Sequence, residues 1–362
     1  MQRPQRIILV LGIFRSGMSL LTKGLETMGV SSGTFFLPHD ALEPRDHCTN
    51  IGFHDFNLSL LNSLEGRKRL ILALSEEEVT LLCKKGFFSQ AKDLLLDTIS
   101  TSNLLTIQDP MFSIVWPFWK KVFDACNIEA SFLMTLRDPA SVVTSIIDSK
   151  RHARKEDPAK FFWTWISYIL NFLDYSKGHE RILINYNELL KNPEHQMQRI
   201  AQQWNLTLDQ EKLKTYSRFF IDSSLCHFQK DQTSYLAEDF YKKFAVQIYQ
   251  ALLTVAQDIS SLEEIDTRVS KWHKEFARVY SLLVLAEKHE WTIDALERKI
   301  LERHNLLDEL QEKISETTCS TASLSQILDN HNLQVASLIN EQKKHNNEIL
   351  QLTKQLERRG RC

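Results

Sequence analysis

A chain of 362 residues exceeds the usual size of one domain, so one large core with an appendage, or two smaller domains, is expected. With 43% hydrophobic and 25% charged residues and only 10 glycines and 8 prolines, the composition excludes a low-complexity or disordered chain. A net charge of −2 supplies no bulk attraction for nucleic acid or an anionic membrane, although local basic sites can still hold small anions.

The first element is a short apolar run. Met1 to Arg6 followed by Ile7 to Phe14 has the basic and apolar parts of a signal peptide, but the run is short and enters a Gly/Arg/Ser turn with no small-residue cleavage site. It is therefore predicted to be a buried strand, Arg6 to Leu11. The turn reads Gly12-Ile-Phe-Arg15-Ser16-Gly17-Met18-Ser19, and a helix follows from Ser19 to Met28. A strand that enters a glycine turn and then a helix presents backbone N–H groups and the positive end of the helix dipole to an anion. Gly12, Gly17 and Ser19 keep the spacing of the nucleotide-binding loop GxxxxGK[ST], but Met18 stands in place of its lysine, which argues against ATP or GTP hydrolysis. Arg15 supplies a cation suited to forked contact with oxyanions. The plain alternative is a tight turn with an exposed arginine.

Three further β-rich runs follow, Leu104 to Ile107, Ala130 to Leu136 and Arg181 to Tyr186. Their apolar residues are nearly continuous, and helical patterns separate them (Ser89 to Ser100, Ala140 to Ser149, Ala159 to Ser176 and Glu194 to Trp204). That combination predicts a parallel α/β sheet covered on both faces, with ligands at the carboxyl ends of its strands. The third strand ends in Arg137-Asp138-Pro139. Asp138 can cap the next helix, Pro139 fits its first turn, and Ser145 falls about two turns in, with Ser141 and Ser149 on the same face. Two anion motifs at neighbouring strand ends suggest a ligand carrying two separated phosphate groups. The aromatics Phe161, Phe162, Trp163, Trp165 and Tyr168 lie too densely for one helix face, so most are expected in the core, with one or two lining a cleft.

From about Asp231 the pattern is helical. A seven-residue frame places Ile293, Ile300, Leu307, Ile314, Leu328, Val335, Ile349 and Leu356 at one core position, with Thr321 and Gln342 as exceptions. The second core position carries Leu296, Leu310, Leu324, Leu338 and Leu352, alternating with Arg303, Thr317, His331 and His345. Such a repeat favours a coiled coil, interrupted around Ser315 to Ser323 and joining copies of the chain in a homo-oligomer, a dimer first. A helical hairpin folded back on the core is the other reading. The expected divisions are a domain over 1–260, a helical connector over 261–292 and a coiled-coil tail over 293–362. No stretch approaches the ~20 apolar residues of a membrane-spanning helix. The six cysteines (Cys48, Cys83, Cys126, Cys226, Cys319 and Cys362) have neither CxxC nor metal-ligand spacing, so a reducing, cytoplasmic setting without a structural zinc is expected.

The two anion motifs together resemble those of sulfotransferases that use 3′-phosphoadenosine 5′-phosphosulfate (PAPS), in particular the bacterial branch that modifies carbohydrates. Gly12 to Ser19 is similar to that family's GxxRSGTS, with Met18 for threonine, and Arg137, Pro139, Val142 and Ser145 keep the spacing of RxPxxVxxS. Gly52-Phe-His54-Asp55 is similar to the end of NxxGYWE, with Asn50 one place nearer the glycine. Gln108-Asp109-Pro110-Met111 through Trp119 resembles KDPR…LPFW, Ile184 to Leu190 resembles VRYEDLL, and Ser224 to His227 resembles a late SLRH block.

The resemblance spans roughly Ile7 to Phe228. It implies a P-loop-like parallel sheet flanked by helices, followed here by a C-terminal helical tail. It also implies that Arg15, Ser16, Gly17, Met18 and Ser19 hold the 5′-phosphosulfate end of PAPS, and Arg137 and Ser145 its 3′-phosphate. The acceptor implied is a hydroxyl of a sugar or glycoconjugate, with Arg15 stabilising developing charge, Asp55 as general base aided by partial burial, and His54 as the second candidate base. No metal is implied. Asp109 is expected to close the turn after its strand, and His227 to make a polar contact. Gln108 and Met111 remove two positive charges that the family carries. That departure leaves a catalytically inactive scaffold as one alternative, a P-loop kinase being the other.

Overall fold

The computed structural model of the chain describes residues 6–32, 51–64, 71–100, 102, 104–149, 157–219, 221, 239–257, 261–316 and 321–359. These fall into two compact units, one holding the described residues up to Phe276, the other those from Ala277 onward.

The first unit is built on β1 (Arg6–Leu11), β2 (Leu104–Gln108), β3 (Glu129–Leu136) and β4 (Arg181–Asn185). All pair in parallel in the order β2-β1-β3-β4, with Val10 of β1 opposite Gln108 on one side and Leu133 on the other. Each strand lies within one residue of the continuous apolar run that predicted it. The helices between the strands are α1 (Met18–Glu26), α2 (Ile51–Asn62), α3 (Glu76–Lys84), α4 (Phe87–Ile99), α5 (Phe112–Cys126), α6 (Pro139–Ser149) and α7 (Pro158–Ser176), and those after β4 are α8 (Tyr186–Lys191), α9 (Pro193–Trp204), α10 (Gln210–Phe219) and α11 (Phe240–Ala256).

Because strand side chains alternate, the buried runs feed two cores. On one face Ile8, Val10, Leu133, Ile182 and Ile184 pack with Leu21 and Leu25 of α1 and with Met197, Ile200 and Trp204 of α9. On the other, Phe132 meets Trp116 of α5 edge-on at 5.2 Å. The dense aromatic run of α7 is wholly interior: Phe161, Phe162, Trp163, Trp165 and Tyr168 are all buried, so none is left to line a cleft for sugar stacking. α5 carries Pro117 inside the helix, which removes the N–H that would bond the Ser113 carbonyl. Asn171 of α7 donates to that carbonyl instead, at 2.8 Å, and this ties the two helices together.

α12 (Leu262–Glu316) begins in the first unit, where Asp266 accepts a forked pair of bonds from Arg181 of β4 at 3.1 and 2.7 Å. The helix then runs unbroken past the expected boundary at residue 293. In the second unit it pairs with α13 (Thr321–Arg359). His289 meets His345 and Arg303 meets His331, so the two helices are antiparallel partners within one chain. The expected interruption falls between Glu316 and Thr321, and residues 317–320 lie outside the described set. The heptad residues Ile293, Leu296, Leu307 and Val335 are buried, and several polar residues that broke the repeat face each other across the pair. Among the described residues no helix is long and apolar enough to cross a membrane.

The Arg181 side chain is only 5% exposed, so removing its partner strands a buried cation, with Glu263 left at 3.5 Å but 77% exposed. Asp266→Ala is expected to lower unfolding stability by about 3 kcal/mol, read from the urea midpoint followed by tryptophan fluorescence.

Candidate functional site

All four strands deliver a residue to one edge of the sheet immediately after their carboxyl ends. β1 runs into Gly12 and the anion loop, β2 into Asp109, β3 into Arg137 and β4 into Tyr186. This is the edge at which parallel α/β sheets bind ligands.

The two anion motifs are joined rather than apart. Arg15 donates through Nε to Ser145 Oγ at 3.1 Å, while the Arg137 guanidinium donates to the backbone carbonyl of Arg15. Each motif thus holds the arginine of the other. Tyr186 completes the arrangement. Arg137 lies over its ring at 4.3 Å from the centroid, and the ring presses on Gly17 so closely that a Cβ there would sit 2.5 Å from Cδ2. Asn185 fixes Tyr186 by capping α8, its Oδ1 accepting from the amides of Asn187 and Glu188. Trp165 of α7 donates its indole N–H to the Arg137 carbonyl at 3.2 Å. Asp138 caps α6 by accepting from the Ser141 amide and hydroxyl, as expected, and the side chain of Ser149 lies outside the described set.

The loop itself is strained where it matters. Arg15 has φ of 67° and Gly17 φ of 97°. A non-glycine residue in the left-handed region costs roughly 1 kcal/mol, a cost that the bonds to the Arg15 carbonyl and side chain offset. Gly17 precedes α1 without any side-chain cap, so the helix's positive end is not already matched by an acidic or hydroxyl side chain. The other predicted loop residues divide by role. Ser16 is buried with its hydroxyl against Thr135 of β3 at 3.2 Å, a strut between loop and strand. The Met18 side chain is buried in the core beside Gly12, so only its backbone can serve an anion.

Ser19 accepts from Gln108 Nε2 at 3.2 Å, while Gln108 Oε1 accepts from the Thr22 hydroxyl at 2.6 Å. The amide that replaces the family's lysine therefore uses both ends to tie β2 to α1. Met111 is buried, and its amide donates to Asp109 Oδ1 at 3.0 Å, which is the turn closure expected of Asp109.

Asp109, completely buried, does more than close a turn. Its Oδ2 accepts from Asn57 Nδ2 at 2.8 Å, Asn57 Oδ1 accepts from the Trp119 indole at 2.7 Å, and its Oδ1 lies 3.4 Å from His54 Nδ1. In the tautomer whose Nδ1–H faces the carboxylate, the ring's basic lone pair is on Nε2. The His54 side chain is 31% exposed, open enough to meet a substrate. Asp55, one residue on, is on the exposed side of α2. The partial burial expected for it is absent, because the helical turn that sends Phe53 and Asn57 into the core carries Asp55 outward. Asn50 and the Ser224 to His227 block lie outside the described residues.

Sequence reasoning missed Asn57, Trp119, Trp165 and Tyr186 as supports of the site, and also Tyr249. That residue sits on α11, where burial and then the charge of Asp138 push its phenol up to about 12. Tyr186 and Trp119 had a signal in their places in the Ile184 to Leu190 and Gln108 to Trp119 blocks, and Trp165 stood in the dense aromatic run. The opposed packing of Tyr186 on Gly17 and Arg137 can be measured. Gly17→Ala is expected to destabilise the chain by about 1–3 kcal/mol, and Tyr186→Leu in the same chain to recover part of that loss, a non-additivity visible in thermal unfolding of the two single variants and the double variant.

No family model matches the chain, and no curated protein aligns to it. Solved structures do. The sulfotransferase domain from the curacin biosynthetic pathway is 19% identical over 59% of this chain and 79% of its own, with a TM-score of 0.36. The sulfotransferase domain of the Synechococcus PCC 7002 olefin synthase is 17% identical over 70% of this chain and 96% of its own, with a TM-score of 0.41. Retinol dehydratase, in complex with androsterone and the inactive cofactor PAP, is 14% identical over 76% of this chain and 81% of its own, with a TM-score of 0.33. The two domains bear by description the name of the family that the chain's own motifs resemble, the sulfotransferases.

Proposed function

We propose that the chain is a sulfotransferase that moves a sulfuryl group from PAPS to a hydroxyl of a carbohydrate or glycoconjugate. The observation that carries this reading is the cross-bonding of Arg15 with Ser145 and of Arg137 with the Arg15 carbonyl, which brings two cations together beside the helix N-terminus at Gly17 and so supports a donor with two anionic groups. The donor supplies the sulfuryl group. The chain's part is to position it and to balance charge, as in phosphoryl transfer. Arg15 and the loop amides offset the charge left on the departing phosphate as its bond to sulfur breaks. Arg137 and Ser145 hold the second phosphate. His54, oriented by Asp109, takes the proton of the acceptor hydroxyl as that oxygen bonds to sulfur. The geometry favours His54 over Asp55 for this role.

Isotopically labelled PAPS incubated with candidate glycans and glycolipids, followed by mass analysis of products, tests the activity. His54→Ala should lower turnover by a factor of ~100 or more with affinity for adenosine 3′,5′-bisphosphate unchanged, whereas Asp55→Asn should leave turnover within about twofold. The reverse pattern would return the base role to Asp55. Arg137→Ala should weaken binding of adenosine 3′,5′-bisphosphate about 10–100-fold by calorimetry, the usual worth of hydrogen bonds to a charged group. Binding of that nucleotide with no transfer to any acceptor would favour an inactive scaffold, for which the neutral, fully engaged Gln108 is the supporting observation. Selective binding of ATP would favour a kinase.

A further inference from the structure

We propose that His289, His345 and Glu348 form a binding site for a divalent transition-metal ion of zinc's class, pinning α12 to α13. His345 and Glu348 stand three residues apart on one face of α13, and His289 reaches them from α12. The two Nδ1 atoms are 3.1 Å apart, and Glu348 Oε2 lies 3.4 Å from the first and 3.3 Å from the second. A tetrahedral zinc ion with bonds of about 2.0–2.1 Å separates its ligand atoms by about 3.3 Å. The three atoms already form such a face. An ion at that bond length sits just off their plane, its fourth position left to water.

The donor chemistry agrees with the geometry. Two imidazoles and one carboxylate suit zinc, cobalt, nickel or copper, whereas magnesium and calcium take oxygen ligands. Hydrogen bonding alone serves the trio poorly. A carboxylate oxygen only accepts, and a neutral imidazole has one N–H. If one Nδ1 carries the proton, the other Nδ1 and the carboxylate oxygen must share it or face each other lone pair to lone pair. If both carry it, two N–H dipoles crowd together to reach one oxygen 3.4 and 3.3 Å away, too far for good hydrogen bonds. A cation satisfies all three lone pairs together. The side chains are 17%, 20% and 37% exposed, sheltered but reachable by an ion. All three residues lie in the second unit and none belongs to the candidate site of the first. The absence of zinc-like cysteine spacing does not bear on a site built from imidazoles. The ion would act on the stability of the α12–α13 pair, since an ion held only by the folded pair stabilises it.

The test uses the full chain stripped of metal and titrated with cobalt(II), whose visible absorption reports tetrahedral coordination, and then with zinc to displace it. The expected result is one cobalt per chain with tetrahedral bands, displaced by zinc and not by magnesium. Affinity should fall about tenfold or more in His289→Gln and Glu348→Gln, and should be unchanged in His304→Ala, an exposed histidine of the same helix. Zinc saturation of the unmodified chain should also protect His289 and His345 from diethyl pyrocarbonate in peptide mapping, a readout independent of how any variant folds. Absent tetrahedral bands, bands that survive His289→Gln, or unprotected His289 and His345 at saturating zinc would each overturn the proposal.

Discussion

Arg137 is the residue through which the candidate anion site is held in shape. Its guanidinium donates to the Arg15 carbonyl and lies over Tyr186, and its own carbonyl receives the Trp165 indole. The ends of β1, β3 and β4 and the interior of α7 are thereby fixed with respect to one another by a single side chain and its backbone. The left-handed turn at Arg15 persists because that carbonyl is engaged and because its side chain is anchored on Ser145. A site held in this way needs little ordering when an anion arrives, and the free energy not lost to ordering remains available for binding.

The side of the candidate site that holds His54 is supported from a different direction. His54 rests on Asp109, Asp109 on Asn57, and Asn57 on Trp119, which sits in a cluster of rings with Phe53, Phe56 and Phe112. The buried carboxylate is tolerable because the Met111 amide and Asn57 also donate to it. The amide of Asn57 is oriented without ambiguity, since one end must accept from an indole and the other must donate to a carboxylate.

The strands and the strand-to-helix turns at Gly12–Ser19 and Arg137–Pro139 were legible in the sequence for physical reasons. A strand covered on both faces must be apolar throughout, and such turns need glycines or a capping Asp and Pro at fixed places. Helix α2 was not legible, because Gly52 and Asn57 are poor helix formers and its stability comes from Phe53 and Phe56 packing on α5. Without that helix the choice between His54 and Asp55 could not be made, because neighbouring residues on a helix point about 100° apart. The heptad showed that a seam exists but not its partner. The pairing of Arg303 with His331 and of His289 with His345 shows that α12 and α13 of one chain share that seam, side by side and antiparallel.

The two bonds that join Gln108 to Thr22 and Ser19 bear on how this sequence can drift. Thr22 gives its proton to the amide oxygen, and the amide nitrogen gives one to Ser19, so the donor and acceptor ends of the amide are both matched. A lysine at position 108 would offer Thr22 no acceptor and would place a cation in a buried corner of α1 and β2. A lysine there would therefore need a further change at position 22. Positions 19, 22 and 108 should be inherited as a set, and among relatives of this chain the residue at 22 should change character whenever the residue at 108 does.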